Sequence, residues 1–159
     1  MEDEKPVSVV QVAHRQQGKP DLGQLAIPSR AVARRPCDFT AFCLLHQSAY
    51  LQYAVQRLQD IARARACVAR VVRELSAFWP AFLGSAQPAA VAWVLLRAWV
   101  DRTAGSSSCG TLSRDQADVL LLRGSLDFSL AKIASVMGVE EAVVVAHLRS
   151  ATRILAIAD

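Results

Sequence analysis

From Asp38 onward, apolar residues recur at three- and four-residue intervals, the period of a helix that buries one face. Phe39, Phe42, Leu45, Ala49 and Tyr53 keep that rhythm behind Asp38, whose carboxylate is suited to cap a helix. The spacing predicts a second helix over about 61–79. Its stripe is Ala64, Val68, Val71, Val72, Leu75 and Phe78, with Pro80 as its stop. Pro88 suits the first turn of a third helix, running through Ala92, Trp93, Leu95, Leu96 and Trp99 to near Arg102. The fold class expected from this patterning is all-α, with the aromatic and valine stripes as core.

The pattern is interrupted twice. Residues 1–36 hold four of the six prolines and two of the seven glycines without a sustained helical period, and read as a flexible N-terminal tail. Within them Val7–Val12 alternates loosely, as a disordered tail or as a strand offered to a partner, and Arg30, Arg34 and Arg35 form a small basic cluster. The second interruption is the Gly- and Ser-rich stretch at 104–111, which reads as a flexible linker. Two small helical domains are therefore expected, at 37–103 and 112–159.

Local end signals are strong in the second domain. Ser113-Arg114-Asp115-Gln116 has the form of a capping box, and the helix it starts carries Val119, Leu120, Leu121 and Leu122 before Gly124. Ser129 caps a short helix, Leu130 to Met137, and Gly138 supplies a tight turn into a last helix from Glu140 to about Ala156. Ala134 and Gly138, four apart, with Val139 and Val144 between the helices and Ile133 and Leu148 on the same side, have helix-turn-helix spacing. The last helix would then be the one laid in a DNA major groove.

Composition adds limits. Of 159 residues 53% are hydrophobic and 20% charged, enough for a core, yet no apolar run approaches the ~18 residues of a membrane span. The first five residues are acidic rather than signal-like, so a soluble, cytoplasmic protein with no membrane partner is expected. Cys37, Cys43, Cys67 and Cys109 are scattered, as reduced thiols in a cytosol are. Cys37-x5-Cys43-x2-His46 has metal-like spacing but lacks a fourth ligand; small buried thiols and a partly buried histidine are the simpler account, and no metal and no cofactor is expected. The chain has no phosphate-binding glycine loop, no HExxH and no GxSxG, so it does not read as an enzyme.

The stretches Leu112–Arg123 and Ser129–Val139 resemble the promoter-reading C-terminal domain of extracytoplasmic-function (ECF) sigma factors. LuxR-type regulators share such a hairpin. The preceding helices, Phe39–Asp60, the one ending Leu75–Trp79 and the one through Trp93–Arg102, are similar in order and length to the N-terminal sigma domain. The resemblance covers about residues 38–156. It implies a transcription regulator whose first domain docks on RNA polymerase and opens the minus-ten element while the second reads the minus-thirty-five element.

Departures from the family are as informative. Where family members carry an acidic, polymerase-facing patch, this chain reads Arg63-Ala64-Arg65-Ala66-Cys67-Val68-Ala69-Arg70, with Arg73 beyond it. A basic partner would be repelled there. The third helix, which in the family touches single-stranded promoter DNA, offers Arg97 and Arg102. The reading helix places Val145, His147 and Ser150 near positions where the family favours Lys or Arg, and starts with Glu140 and Glu141. Arg123, Lys132, Arg149 and Arg153 remain as phosphate contacts and His147 as a base or phosphate contact; for Arg149 and Arg153 a solvated face is an equal reading. Val143 and Val145 flank Val144 and cannot all share a narrow buried stripe, so one of them faces a protein partner or packs on the first domain.

Two functions follow. One is an ECF-sigma-like regulator that binds promoter DNA, RNA polymerase or both. The other is a degenerate sigma-fold interaction module that captures an anti-sigma factor or completes a split sigma factor. The net charge of +4 is unevenly spread: residues 1–36 carry +2, residues 37–103 carry +3 and residues 104–159 carry −1. Basicity lies away from the helix best placed to read DNA.

Overall fold

The computed structural model describes residues 37–84, 87–105 and 110–158. The expected tail, with its arginine cluster and alternating stretch, lies outside the described residues, as do 106–109 of the expected linker. The described residues are helical, with no strand among them. The helices are α1 (Cys37–Leu58), α2 (Ile61–Leu83), α3 (Pro88–Ala104), α4 (Arg114–Leu120, widening into a π turn at Leu121–Ser125), α5 (Leu130–Met137) and α6 (Glu141–Ala158). None is long and apolar enough to cross a membrane.

Helix ends follow local chemistry. The Asp60 carboxylate accepts from the Ala62 and Arg63 amides and starts α2. Ser113 and Gln116 form the reciprocal capping box of α4, and Ser129 accepts the Lys132 amide to start α5. Pro80 does not stop α2, which runs one more turn to Leu83. A proline this close to a helix end removes a single backbone hydrogen bond, and Trp79 and Phe82, packed on the core, hold the last turn in place. Gly124 lies within the π turn rather than after the helix.

The core stripes run one register away from two expected positions. On α2 the buried row is Ala64, Cys67, Val68, Val71, Leu75 and Trp79, while Phe78 is 63% exposed. On α1, Leu45 is 57% exposed and His46 takes the inward position between Phe39 and Ala49. Trp79 meets Phe39 and Phe42 at ring separations of 5.0 and 5.1 Å, and Trp93 meets Tyr53 at 4.6 Å.

α1, α2 and α3 pack as one group, and α4, α5 and α6 as another. The described residues of both groups belong to one compact unit and share one core, in which Tyr53, Trp93, Leu96 and Val100 continue into Val119, Leu122, Ile133 and Val136. Gly138 helps join them. It adopts the left-handed conformation (φ +67°) that lets its amide cap the Ala134 carbonyl and turns the chain toward α6. A Cβ there would also lie 2.1 Å from the Ala90 amide nitrogen, so only glycine allows the turn to rest on the first turn of α3.

Candidate functional site

The polar groups at the junction of α1, α3 and α4 form a closed network. Asp118, 1% exposed, accepts from the Tyr53 hydroxyl at 2.8 Å, from Arg97 at 3.2 Å and from Arg114 Nε at 3.3 Å. Arg114 also donates to Asp101 at 2.6 Å, as Arg57 does at 3.1 Å, and Arg97 pairs with Asp115 as well. Burial pushes the Asp118 carboxyl above its ordinary range, while the Tyr53 hydroxyl and the two guanidiniums pull it back. Burial works against the charge on Arg97 and Arg114 too, but their carboxylate partners hold both above the usual arginine value. Arg97, read as a contact to DNA, is instead an internal tie: its side chain is 20% exposed and paired twice. Asp118 carries a detectable signal of this role, an acid four residues after Arg114 and next to Val119 on the inward side of a short helix.

The other arginines lie outside. Arg63, Arg70 and Arg73 line a groove of about 430 Å3 between α2 and α3, with Ala66, Cys67, Ala69, Trp99 and Thr103. The Arg63 guanidinium donates to the Thr103 carbonyl at the end of α3. Arg70 and Arg102 both lie over the Trp99 ring, at 4.4 and 4.6 Å from its centroid. The Thr103 hydroxyl donates to the Trp99 carbonyl at 2.8 Å and lies 3.1 Å from the buried Cys67 thiol. Arg65 faces the opposite side of α2, in a second groove with Gln47, Leu51, Val68 and Ala69. Among the described residues no carboxylate pairs with Arg63, Arg65, Arg70, Arg73 or Arg102. Sequence patterning put Trp99 in the core; it is half-buried, and the groove it walls arises only when α2 and α3 come together.

On α6, Val144 and Ala151 are buried against α4 and α5, and the Gln116 amide donates to the Ser150 hydroxyl at 2.9 Å. Glu141, Ala142, Val143 and Ala146 are exposed in its first half, and Arg149, Thr152 and Arg153 in its second. Val143 is thus the outward-facing valine, while Val145 and His147 are half-buried. Arg149 and Arg153, one turn apart, share a shallow surface with Leu148, Thr152 and Ala156. Arg123 is exposed and donates to the Phe128 carbonyl at 2.9 Å, and Lys132 is half-buried. The DNA-contact candidates therefore do not form one surface: Arg97 is internal, Arg102 lies over the Trp99 ring, and Arg149 and Arg153 stand together on α6.

His46 is 4% exposed between Phe42 and Tyr50, with ring separations of 4.5 and 5.7 Å, and its Nδ1 has no hydrogen-bond partner. Burial, then the positive charge of Lys132, lowers its pKa below the ordinary histidine value. Among the described residues no three His, Cys, Asp or Glu side chains gather as a metal site. Neither a protein-family model nor a curated protein matches the sequence.

Proposed function

We propose that the protein is a transcription regulator of ECF-sigma-like build that binds promoter DNA, RNA polymerase or both in a non-standard way. The observation that carries this reading is the α5–Gly138–α6 pair. Two helices meet across a glycine-dependent turn, and α6 packs inward through Val144 and Ala151 while its opposite face stays exposed. In this reading the pair is a helix-turn-helix, α6 enters the major groove, and Arg149 and Arg153 bind phosphates. The acidic, apolar first half of α6 limits how many contacts it makes.

The test is the binding of duplex promoter DNA to the full chain across a salt series. Each phosphate neutralised adds about 0.9 to the slope of log affinity against log salt, so Arg149→Ala with Arg153→Ala should lower the slope by nearly 2. Absence of salt-sensitive binding at low ionic strength would remove DNA from the function. A second reading, an interaction module that binds a regulatory protein without reading DNA, is favoured by the arginines of α2, which pair with no carboxylate among the described residues. Recovery of polymerase with promoter DNA from the native cell would exclude it.

A further inference from the structure

We infer that the groove between α2 and α3 is the docking site for an acidic, amphipathic helix of a partner protein. The inference rests on the partner-binding side of the proposed function and does not depend on whether α6 reaches DNA. The groove has a floor and a rim of different chemistry. Its floor is Ala66, Ala69 and the buried Cys67, walled by Trp99, whose ring Arg70 and Arg102 cover; its rim is Arg63, Arg70 and Arg73. Ten residues separate Arg63 from Arg73, about 15 Å along α2, which is nearly three turns of a helix laid beside it. Alanines at 66 and 69 let a partner helix come close, and its apolar stripe covers the exposed part of the floor.

The charges identify the occupant. These guanidiniums sit on the rim without a carboxylate partner among the described residues, whereas every arginine at the inner junction has one. Carboxylates flanking an apolar stripe would complete them with charge-assisted hydrogen bonds. A nucleic acid strand fits less well. The rim guanidiniums pair with phosphate as well as with carboxylate, so the rest of the groove decides: two guanidiniums already lie over the Trp99 ring on which bases would stack, and the small alanines suit the close approach of a helix. A peptide added as a β-strand would need an open sheet edge, and the described residues contain no strand.

The probe is a synthetic amphipathic helix of about four turns (~15 residues), with leucines on one face and glutamates flanking them. Its controls are the same peptide with lysine for glutamate, an oligothymidylate and duplex promoter DNA. Binding to the full chain is read by anisotropy of the labelled probe. The acidic peptide should bind, the lysine peptide should not, and the double variant Arg70→Glu, Arg73→Glu should weaken binding at least about ten-fold. Ala69→Trp, at an exposed floor position, should also weaken it while leaving every rim charge in place; circular dichroism checks that both variants stay helical. Failure of the acidic peptide to bind, or equal binding by both variants, would overturn the inference. Tighter binding of oligothymidylate, lost through the same arginines, would overturn it in favour of a nucleic acid. Loss of duplex binding on Arg149→Ala with Arg153→Ala, with the peptide still bound, separates the α6 reading from this one.

Discussion

Two sets of arginines divide the molecule. Arg57, Arg97 and Arg114 sit where α1, α3 and α4 meet, and each reaches a carboxylate, with Asp101 and Asp118 shared between them. Arg63, Arg70 and Arg73 on one side of α2, and Arg65 on the other, are exposed without one among the described residues. The residue type is the same in both places, but the surroundings assign different work. Inside, a guanidinium that lost its partner would be a buried charge; outside, water already solvates it. The inner set holds the two helical groups together and the outer set is available to bind.

The largest effect should come from breaking the inner set at its centre. Asp118→Ala leaves Arg97, Arg114 and the Tyr53 hydroxyl without their shared acceptor. The expected loss is about 3 kcal/mol of stability, at the low end for a broken buried pair because the arginines are themselves partly solvated. Urea unfolding would show a lower midpoint with an unchanged slope. A loss below about 1 kcal/mol would mean that the network is an ornament of a junction held by apolar packing alone.

The helices themselves were largely legible in the sequence because their signals are local. The Ser113–Gln116 box, the Ser129 cap and the Gly138 turn each depend on groups within four residues of one another. Two stripes were read one register off, because hydropathy ranks Leu45 above His46 and Phe78 carries the helical period about as well as Trp79. Which of each pair faces inward is settled by the helices packed beside it. The site was less legible for the same reason. Whether Arg97 meets DNA or a carboxylate depends on Asp115 and Asp118, eighteen and twenty-one residues further along. Trp99 becomes the wall of a groove only through residues more than twenty-five positions before it.

A second measurement sharpens the contrast by using an inner polar group that has no partner. His46 is buried with its pKa lowered, so the folded protein keeps the ring neutral where the unfolded chain would protonate it. Its contribution is constant above the unfolded value of about 6.5 and is lost as pH falls below that toward the lowered folded value. Between those two values stability should fall as pH falls, with a slope of at most about 1.4 kcal/mol per pH unit. The slope should be smaller in His46→Gln, which removes this titrating group. Equal slopes in both proteins would place the titration elsewhere.

The smallest effect should come from the outer set, and its smallness is the point. Arg65 and Arg73 are exposed and unpaired with any described carboxylate, so Arg65→Ala together with Arg73→Ala should change stability by no more than about 0.5 kcal/mol. Their side chains give up little solvation on folding, and removing them leaves no buried group unsatisfied. The comparison is direct if the double variant and Asp118→Ala are unfolded under the same conditions. If the outer pair destabilised the fold as much as the loss of Asp118, these arginines would be structural. Neither side of α2 would then have charge to spare for a partner.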